Sequence, residues 1–430
     1  MPTYDQSRRE QERTHEVHTT RKAYVAMLAR PGSDPGRALD ELTDLARTAG
    51  LEVVGRHVQR RPSPVSATLV GKGTIEHITA EAKSNGAALV VFANDLTPVQ
   101  QRNLERDMDL GVIDRTEVIL AIFAKHAHTR EGKLQVELAQ LRYTLPRLTG
   151  IGSEMSRLGG GIGTRGPGET KLEIDRRRAR DRIKTIEDEL ELVRRRRETQ
   201  RRSRDKLGAY AASIVGYTSA GKSTLLNTLT SAEVFVDPML FATLDPTTRA
   251  LDLEDGAHVL LTDTVGFISD LPHGLIAAFR ATLEEVTQAD FLVHVVDASS
   301  PHIDAQMDAV AGVLGELGAA DKPTVTVFNK IDLLDVTYPI RRRVAAMSDA
   351  VYVSALTGEG VEYLVSALGE VVSRLMVRIE AEIPASRSDL VALCHEHGRN
   401  VETEYDGDRV RVRGEIAPSV ASRIREYILR

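Results

Sequence analysis

Between Ala211 and Thr230 the chain reads AASIV, GYTSAGKS, TLLNTLT: a short apolar run, a glycine loop and a helix-like stretch. Residues Gly216–Ser223 satisfy G-x-x-x-x-G-K-[ST], and strand, loop and helix in that order separate a phosphate-binding loop from a chance match. The glycines let successive backbone N–H groups turn inward, and the helix N-terminus adds partial positive charge. Lys222 is placed to reach the β- and γ-phosphates, and the Ser223 hydroxyl to hold Mg²⁺. The whole loop, Gly216, Tyr217, Thr218, Ser219, Ala220, Gly221, Lys222 and Ser223, is therefore expected to line a nucleotide.

Three further elements follow at the spacing of a GTP-binding domain. Leu260–Gly266 reads as a strand ending in D-x-x-G, in which Asp263 would hold Mg²⁺ through water and the Gly266 N–H would approach the γ-phosphate. Thr264 and Val265 complete that loop. Between the two glycine motifs lies FATLDPTTR (Phe241–Arg249), a turn-rich insertion suited to a switch, with Phe241, Ala242, Thr243, Leu244 and Asp245 predicted at the nucleotide. Thr243 is the favoured second hydroxyl on the metal, with Thr247 and Thr248 as alternatives. Lys222, Thr243, Asp263 and Gly266 form the expected catalytic set, and Ser223 and Thr243 the direct metal ligands.

Asn329-Lys330-Ile331-Asp332 follows the strand-like PTVTVF. A carboxylate at Asp332 can accept from guanine N1–H and the exocyclic amine, whereas adenine would present an acceptor to it, so the site should choose GTP. Asn329 would brace the loop, Lys330 would lie over the base, and Ser354, Ala355 and Leu356 would supply backbone contact to the guanine oxygen. Phe267 follows D-x-x-G where a glutamine would orient water; an apolar side chain cannot, so slow turnover that waits on a partner is expected.

Composition narrows the setting. With 42% hydrophobic and 27% charged residues, the 430-residue chain has enough apolar side chains for several ordinary cores. The net charge of −6 requires any nucleic-acid contact to come from a local basic region. One cysteine, Cys394, excludes an internal disulfide framework and fits a reducing, cytoplasmic setting; neither a signal peptide nor a membrane span is legible. Cys394-His395-Glu396-His397 is too crowded for zinc and reads as a helix face, and His126 and His128 carry no metal signature either.

The expected fold is a multidomain α/β chain: a parallel α/β N-terminal domain, a long α-helical hairpin, a P-loop G domain and a small α+β C-terminal domain. Residues 1–21 have no hydrophobic period and are expected to be a disordered tail. Alternating strand-like and helix-like runs predict the N-terminal domain over 22–115, in which VGKGT (70–74) is a turn opening a helix rather than a phosphate site. One long helix is expected over Thr116–Leu145 and a second over Lys171–Lys206, paired as a hairpin over 116–207 around a glycine loop at 156–168. That loop formally contains G-x-G-x-x-G, but no strand precedes it; a loop that orders on a partner and a flexible linker are the two readings. Arg194–Arg197 and Arg201–Arg204 crowd the far end of the second helix with little nearby acid, which favours RNA contact over a solvated face. The G domain is expected over 208–375 and the final domain over 376–430.

These residues resemble the HflX GTPases over most of the chain. GYTSAGKSTLLN, FATLDPTTR, DTVGF, NKID and SAL look like that family's G-domain motifs. GGGIGTRGPGETKLEIDRRR (Gly159–Arg178), DLTPVQQRNLE (Asp95–Glu105) and Val112–Leu148 are similar to its N-terminal domain and hairpin. Ser219 departs from the family's usual asparagine. The resemblance implies a bacterial, ribosome-associated GTPase, a monomer off the ribosome. It would bind the large subunit, reach rRNA through the hairpin and glycine loop, and with GTP split or rescue stalled or hibernating ribosomes. The competing readings are a GTP-switched ribosome-assembly factor without splitting activity, and a regulatory GTP-binding protein without RNA.

Overall fold

A computed structural model describes residues 21–32, 34–148, 167–205, 209–230, 240–241, 243–253, 257–269, 280–336 and 338–429. Residues 1–20 of the expected tail, 156–166 of the glycine loop, and Ala242 lie outside the described residues. The chain divides into two compact units, Met1–Ile122 and Phe123–Arg430.

In the first unit, β1 (Arg21–Ala29), β2 (Leu51–Arg60), β3 (Leu89–Phe92) and β4 (Gly111–Asp114) form a parallel sheet in the order β2-β1-β3-β4. Arg21, expected in the tail, opens β1. The crossovers are α1 (Pro35–Thr48), α2 (Lys72–Ser84) and α3 (Pro98–Met108). Local chemistry sets their starts. Asp34 caps α1 by accepting from the Gly36 N–H at 3.1 Å ahead of Pro35 at the first helical position. Thr97 and Gln100 make a reciprocal capping box on α3. Gly71 precedes α2 and gives its N–H to Gln59 Oε1 at 3.0 Å, so VGKGT is occupied as a turn. Tyr24, Ile78, Phe92, Leu104 and Met108 bury the core.

The single helix expected over Thr116–Leu145 is two. α4 (Arg115–His126) stops, and α5 (Arg130–Thr144) starts behind a new cap: Thr129 Oγ1 accepts from the Gly132 N–H at 2.9 Å. No proline interrupts the stretch, so it reads as one helix even though residues 128–133 carry no apolar side chain; the HTRE stretch carried the signal, a threonine with acid in the following turn. α6 (Pro167–Asp205) then runs back along α5 around Leu134, Leu138 and Ile186, with Arg182–Glu137 and Arg130–Glu189 at 2.7 Å and Arg142–Glu187 at 2.6 Å on the rims.

Of the basic end of α6, the side chains of Arg201, Arg202 and Arg204 lie outside the described residues, and the Arg194–Arg197 run is better compensated than its local sequence implies. Arg194 lies 3.6 Å from Glu284, Arg195 is 3.2 Å from Glu191, and Arg197 is 2.7 Å from Glu131 and 3.7 Å from Glu285. Three of the four partners are brought by other helices, so sequence proximity cannot count them.

The central sheet has the order β10-β9-β8-β5-β7-β6. Its strands are β5 (Tyr210–Gly216), β6 (Thr247–Asp252), β7 (His258–Asp263), β8 (Phe291–Asp297), β9 (Thr324–Asn329) and β10 (Ala350–Tyr352), all parallel except β6 against β7. α7 (Lys222–Thr230), α8 (Arg280–Gln288), α9 (Ile303–Glu316), α10 (Tyr338–Ala345) and α11 (Val361–Leu375) accompany it. β5, β8 and β9 are apolar nearly throughout because both faces are buried. The C-terminal sheet is antiparallel, β11 (Val377–Pro384), β13 (Arg409–Ile416) and β12 (Gly398–Asp406), with α12 (Ser388–Glu396) and α13 (Pro418–Arg423). The closing helix is shorter than its apolar pattern, ending at Arg423 before a 3-10 turn at Arg425–Tyr427. Cys394 is wholly buried in this core, and among the described residues no group of histidine, cysteine and carboxylates is arranged to hold a metal.

Candidate nucleotide-binding site

The glycine loop leaves the C-terminal end of β5, beside β7 and β8, and enters α7 at Lys222. Gly221 has φ +93, and a Cβ there would run into the Asn329 amide. At Gly266 a Cβ would stand 2.9 Å from the Thr218 Cα and 3.0 Å from Lys222 Nζ. Both glycines are demanded by close approach. Ser219 is exposed with φ +60, a left-handed conformation that asparagine tolerates better than serine.

Lys222 is buried and donates to the Tyr217 carbonyl at 2.9 Å and the Gly216 carbonyl at 3.3 Å. Burial lowers its pKa to about 8; Asp263 opposes that shift and Lys330 adds to it. Ser223 Oγ donates to Asp263 Oδ2 at 2.5 Å and lies 2.8 Å from Thr243 Oγ1, which is 3.1 Å from the same carboxylate oxygen. Asp263 is fully buried, its pKa raised by desolvation against the pull of Lys222, and its Oδ1 has no hydrogen-bond partner. Three oxygen-bearing side chains from α7, the switch insertion and β7 thus converge. Thr247 and Thr248 do not join them: both are in β6, where Thr248 meets the Thr262 hydroxyl at 2.9 Å.

The third edge is built on Asn329. Its amide donates to the Ala220 carbonyl at 2.8 Å and its Oδ1 accepts from the Ala355 N–H at 2.9 Å, joining the glycine loop to the Ser354–Leu356 turn. Asp332 Oδ1 accepts from Ser354 Oγ at 2.6 Å. Lys330 has φ +66 and its ammonium is 2.6 Å from Asp297 Oδ2. Ser354, Ala355 and Ile331 are buried; Leu356 is 78% exposed. Thr264 donates to the Ile214 carbonyl at 2.7 Å and Val265 is buried, so their side chains are structural. Phe267 is 1% exposed and pairs through its backbone with Gly216 and Thr218. Phe241 is buried, Leu244 is buried, and Asp245 has its carboxylate engaged by the backbone of His128 and Thr129.

Sequence reasoning overlooked Asp297 and His294. Asp297 closes the apolar β8 run immediately beside the Asn329 strand, a signal that was available. His294 is buried on β8 opposite Val215, where burial and the Lys222 charge lower its pKa to about 4; a histidine inside an apolar run offers no such cue.

Comparison with known proteins agrees in the same chain order. Residues 36–124 match the family described as GTP-binding GTPase N-terminal, 126–204 the GTP-binding GTPase Middle Region, 211–330 a 50S ribosome-binding GTPase, and 339–424 the HflX C-terminal domain. GTPase HflX of Caldanaerobacter subterraneus subsp. tengcongensis is 44% identical over 95% of this chain and 94% of its own. GTPase HflX of Escherichia coli (strain K12) is 46% identical over 82% of this chain and 83% of its own. Among solved structures, the complex of SsGBP with GDP aligns over 83% of this chain and 99% of that one, with TM-score 0.46 and 24% identity. With full-length relatives at this identity and all four regions in register, the chain belongs to the HflX family of GTPases.

Proposed function

We propose that this GTPase works as a Mg²⁺-dependent switch on the large ribosomal subunit, and that its GTP-bound form separates stalled or hibernating ribosomes into subunits. The observation that carries the metal reading is the convergence of the Ser223 and Thr243 hydroxyls on Oδ2 of Asp263, a buried carboxylate whose other oxygen, Oδ1, has no hydrogen-bond partner. Hard oxygen donors of this kind fit Mg²⁺, with the two hydroxyls as ligands and Asp263 acting through water. When bound, the ion neutralises charge between the β- and γ-phosphates. Lys222 would give up its backbone carbonyls for phosphate oxygens, and the Gly266 N–H would meet the γ-phosphate. Asp332 would read guanine, held in place by Ser354, while Asn329 keeps the phosphate and base loops at fixed separation.

The ribosomal reading is supported by the 50S ribosome-binding description of the family matched over 211–330. The paired state of Arg194, Arg195 and Arg197 shifts the expected rRNA contacts toward the exposed Arg177 and Arg180 on the other half of α6. Phosphate contacts release counterions, so binding should fall steeply with salt.

Sedimentation of intact ribosomes mixed with the protein and GTP, a non-hydrolysable analogue or GDP tests this reading. Separated subunits with GTP or the analogue, and not with GDP, are expected; intact particles in every case would eliminate splitting and leave an assembly factor. The same mixtures should show slow hydrolysis by the protein alone and strong stimulation by ribosomes, because buried Phe267 offers no group to orient water.

A further inference from the structure

The short segment carrying Thr243 is anchored on both sides to the start of the helical hairpin. On one side, Phe241 is buried with φ +58 and sets its ring edge-on against Phe123 of α4, centroids 4.8 Å apart. On the other, Asp245 lies over the break between α4 and α5. Its Oδ2 accepts from the His128 N–H at 2.9 Å and the Thr129 N–H at 2.8 Å, and its Oδ1 accepts from the Thr129 hydroxyl. The same hydroxyl accepts from the Gly132 N–H, so Asp245 is an outer cap on α5, with an anion where the helix dipole favours one. The fit has no slack: a Cβ at Gly132 would run into Asp245 Oδ1.

Thr243 stands between these anchors. Two residues of chain span at most about 7 Å, so pinning Asp245 restricts where the Thr243 hydroxyl can go. In this arrangement it lies 2.8 Å from Ser223 and 3.1 Å from Asp263. α8 also meets the hairpin. Glu284 and Glu285 of α8 face Arg194 and Arg197 of α6, and Arg197 also binds Glu131 in the first turn of α5. Burial raises the Glu131 pKa, Arg197 opposes that shift, and the carboxylates of Asp245, Glu285 and Glu284 add to it.

We propose that Asp245 is a positioning residue: by capping α5 it sets Thr243 against Ser223 and Asp263, and so links the nucleotide state to the hairpin. The link rests on the reading of Thr243 as a group engaged only when a γ-phosphate is present. Linkage makes it reciprocal: whatever tightens the Asp245 cap favours GTP over GDP, and GTP tightens the cap.

The test compares wild type, D245A, D245N, G132A and T243A in titrations with GDP and with a non-hydrolysable GTP analogue, both with Mg²⁺. Thermal melts check folding; G132A introduces alanine into a helix, where it is intrinsically favoured. D245A and G132A should each weaken analogue binding by at least about fivefold, the lower end of typical coupling, while GDP affinity stays within about twofold. D245N, which keeps an acceptor but loses charge, should fall between. The D245A/G132A double variant should be no worse than the more affected single, since both remove one contact from opposite sides. In wild type, the amides of His128 and Thr129 should exchange more slowly with the analogue than with GDP. If T243A loses discrimination while D245A and G132A keep it, the cap is overturned and the Thr243 reading stands. If T243A itself keeps discrimination, the Thr243 reading falls and the cap's role with it.

Discussion

His294 shows how one side chain in the site affects the whole fold. It sits on β8 next to the strand that feeds the glycine loop, and burial with the nearby Lys222 ammonium keeps it neutral, with a pKa of about 4 against 6.5 for a free imidazole. The unfolded chain therefore binds more protons between those values, and stability falls as pH drops from 6.5 toward 4. The full shift corresponds to about 3 kcal/mol. Denaturant unfolding across that pH range should show this acid loss in wild type, and His294→Gln should flatten it. An unchanged slope would mean the imidazole is not held neutral. Lys222 is shifted in the same sense for the same reason, but it has carbonyl partners and a carboxylate nearby. A buried cation is tolerated there because the site is built to receive phosphate.

At the level of elements, the hairpin illustrates a division of labour between its seam and its rims. Ile186 is fully buried between α5 and α6, with Leu134 and Leu138 opposite. The Arg182–Glu137 and Arg142–Glu187 pairs on its flanks are well exposed. Exposed pairs contribute about 0–1 kcal/mol each, whereas removing a buried isoleucine side chain costs about 2–5 kcal/mol. Ile186→Ala should accelerate amide exchange along both helices, and Arg182→Ala should leave it nearly unchanged; equal effects would contradict a hydrophobic seam. The interruption before α5 belongs to the same account. The break orphans N–H groups at the start of α5, and the Thr129 hydroxyl and the Asp245 carboxylate accept from them.

Across the second unit, one hydrophobic core passes from the central sheet into the C-terminal one. Val293 and Val327 of the sheet, Leu364, Leu368, Val371 and Val372 of α11, and Ala381, Ile383 and Val412 of the final strands belong to a single buried cluster. Burying each aliphatic side chain is worth about 1.5–3 kcal/mol, so α11 gains much of its hold from strands that follow it in sequence. Calorimetry of the chain ended after Leu375 should show the nucleotide-binding part melting well below its temperature in the full chain. A matched temperature would mean that the two sheets do not share stability.

The strands, the crossover helices of the first sheet, the glycine loop, D-x-x-G, NKID and the SAL turn were legible in the sequence because each is specified by local chemistry. Alternation, apolar runs, caps and glycines at fixed offsets act over a few residues, and they placed Gly221, Gly266 and Asn329 in motifs before any contact was known. What tertiary structure decided are the cases in which the partner is far away in the chain. Asp245 turns to a helix start 116 and 117 residues earlier, Arg194 and Arg197 meet glutamates of α8, and His294 is made neutral by burial beneath the loop. Those outcomes depend on which groups are brought within hydrogen-bond or Coulomb range and on how much water is excluded, and neither quantity exists until the chain has packed.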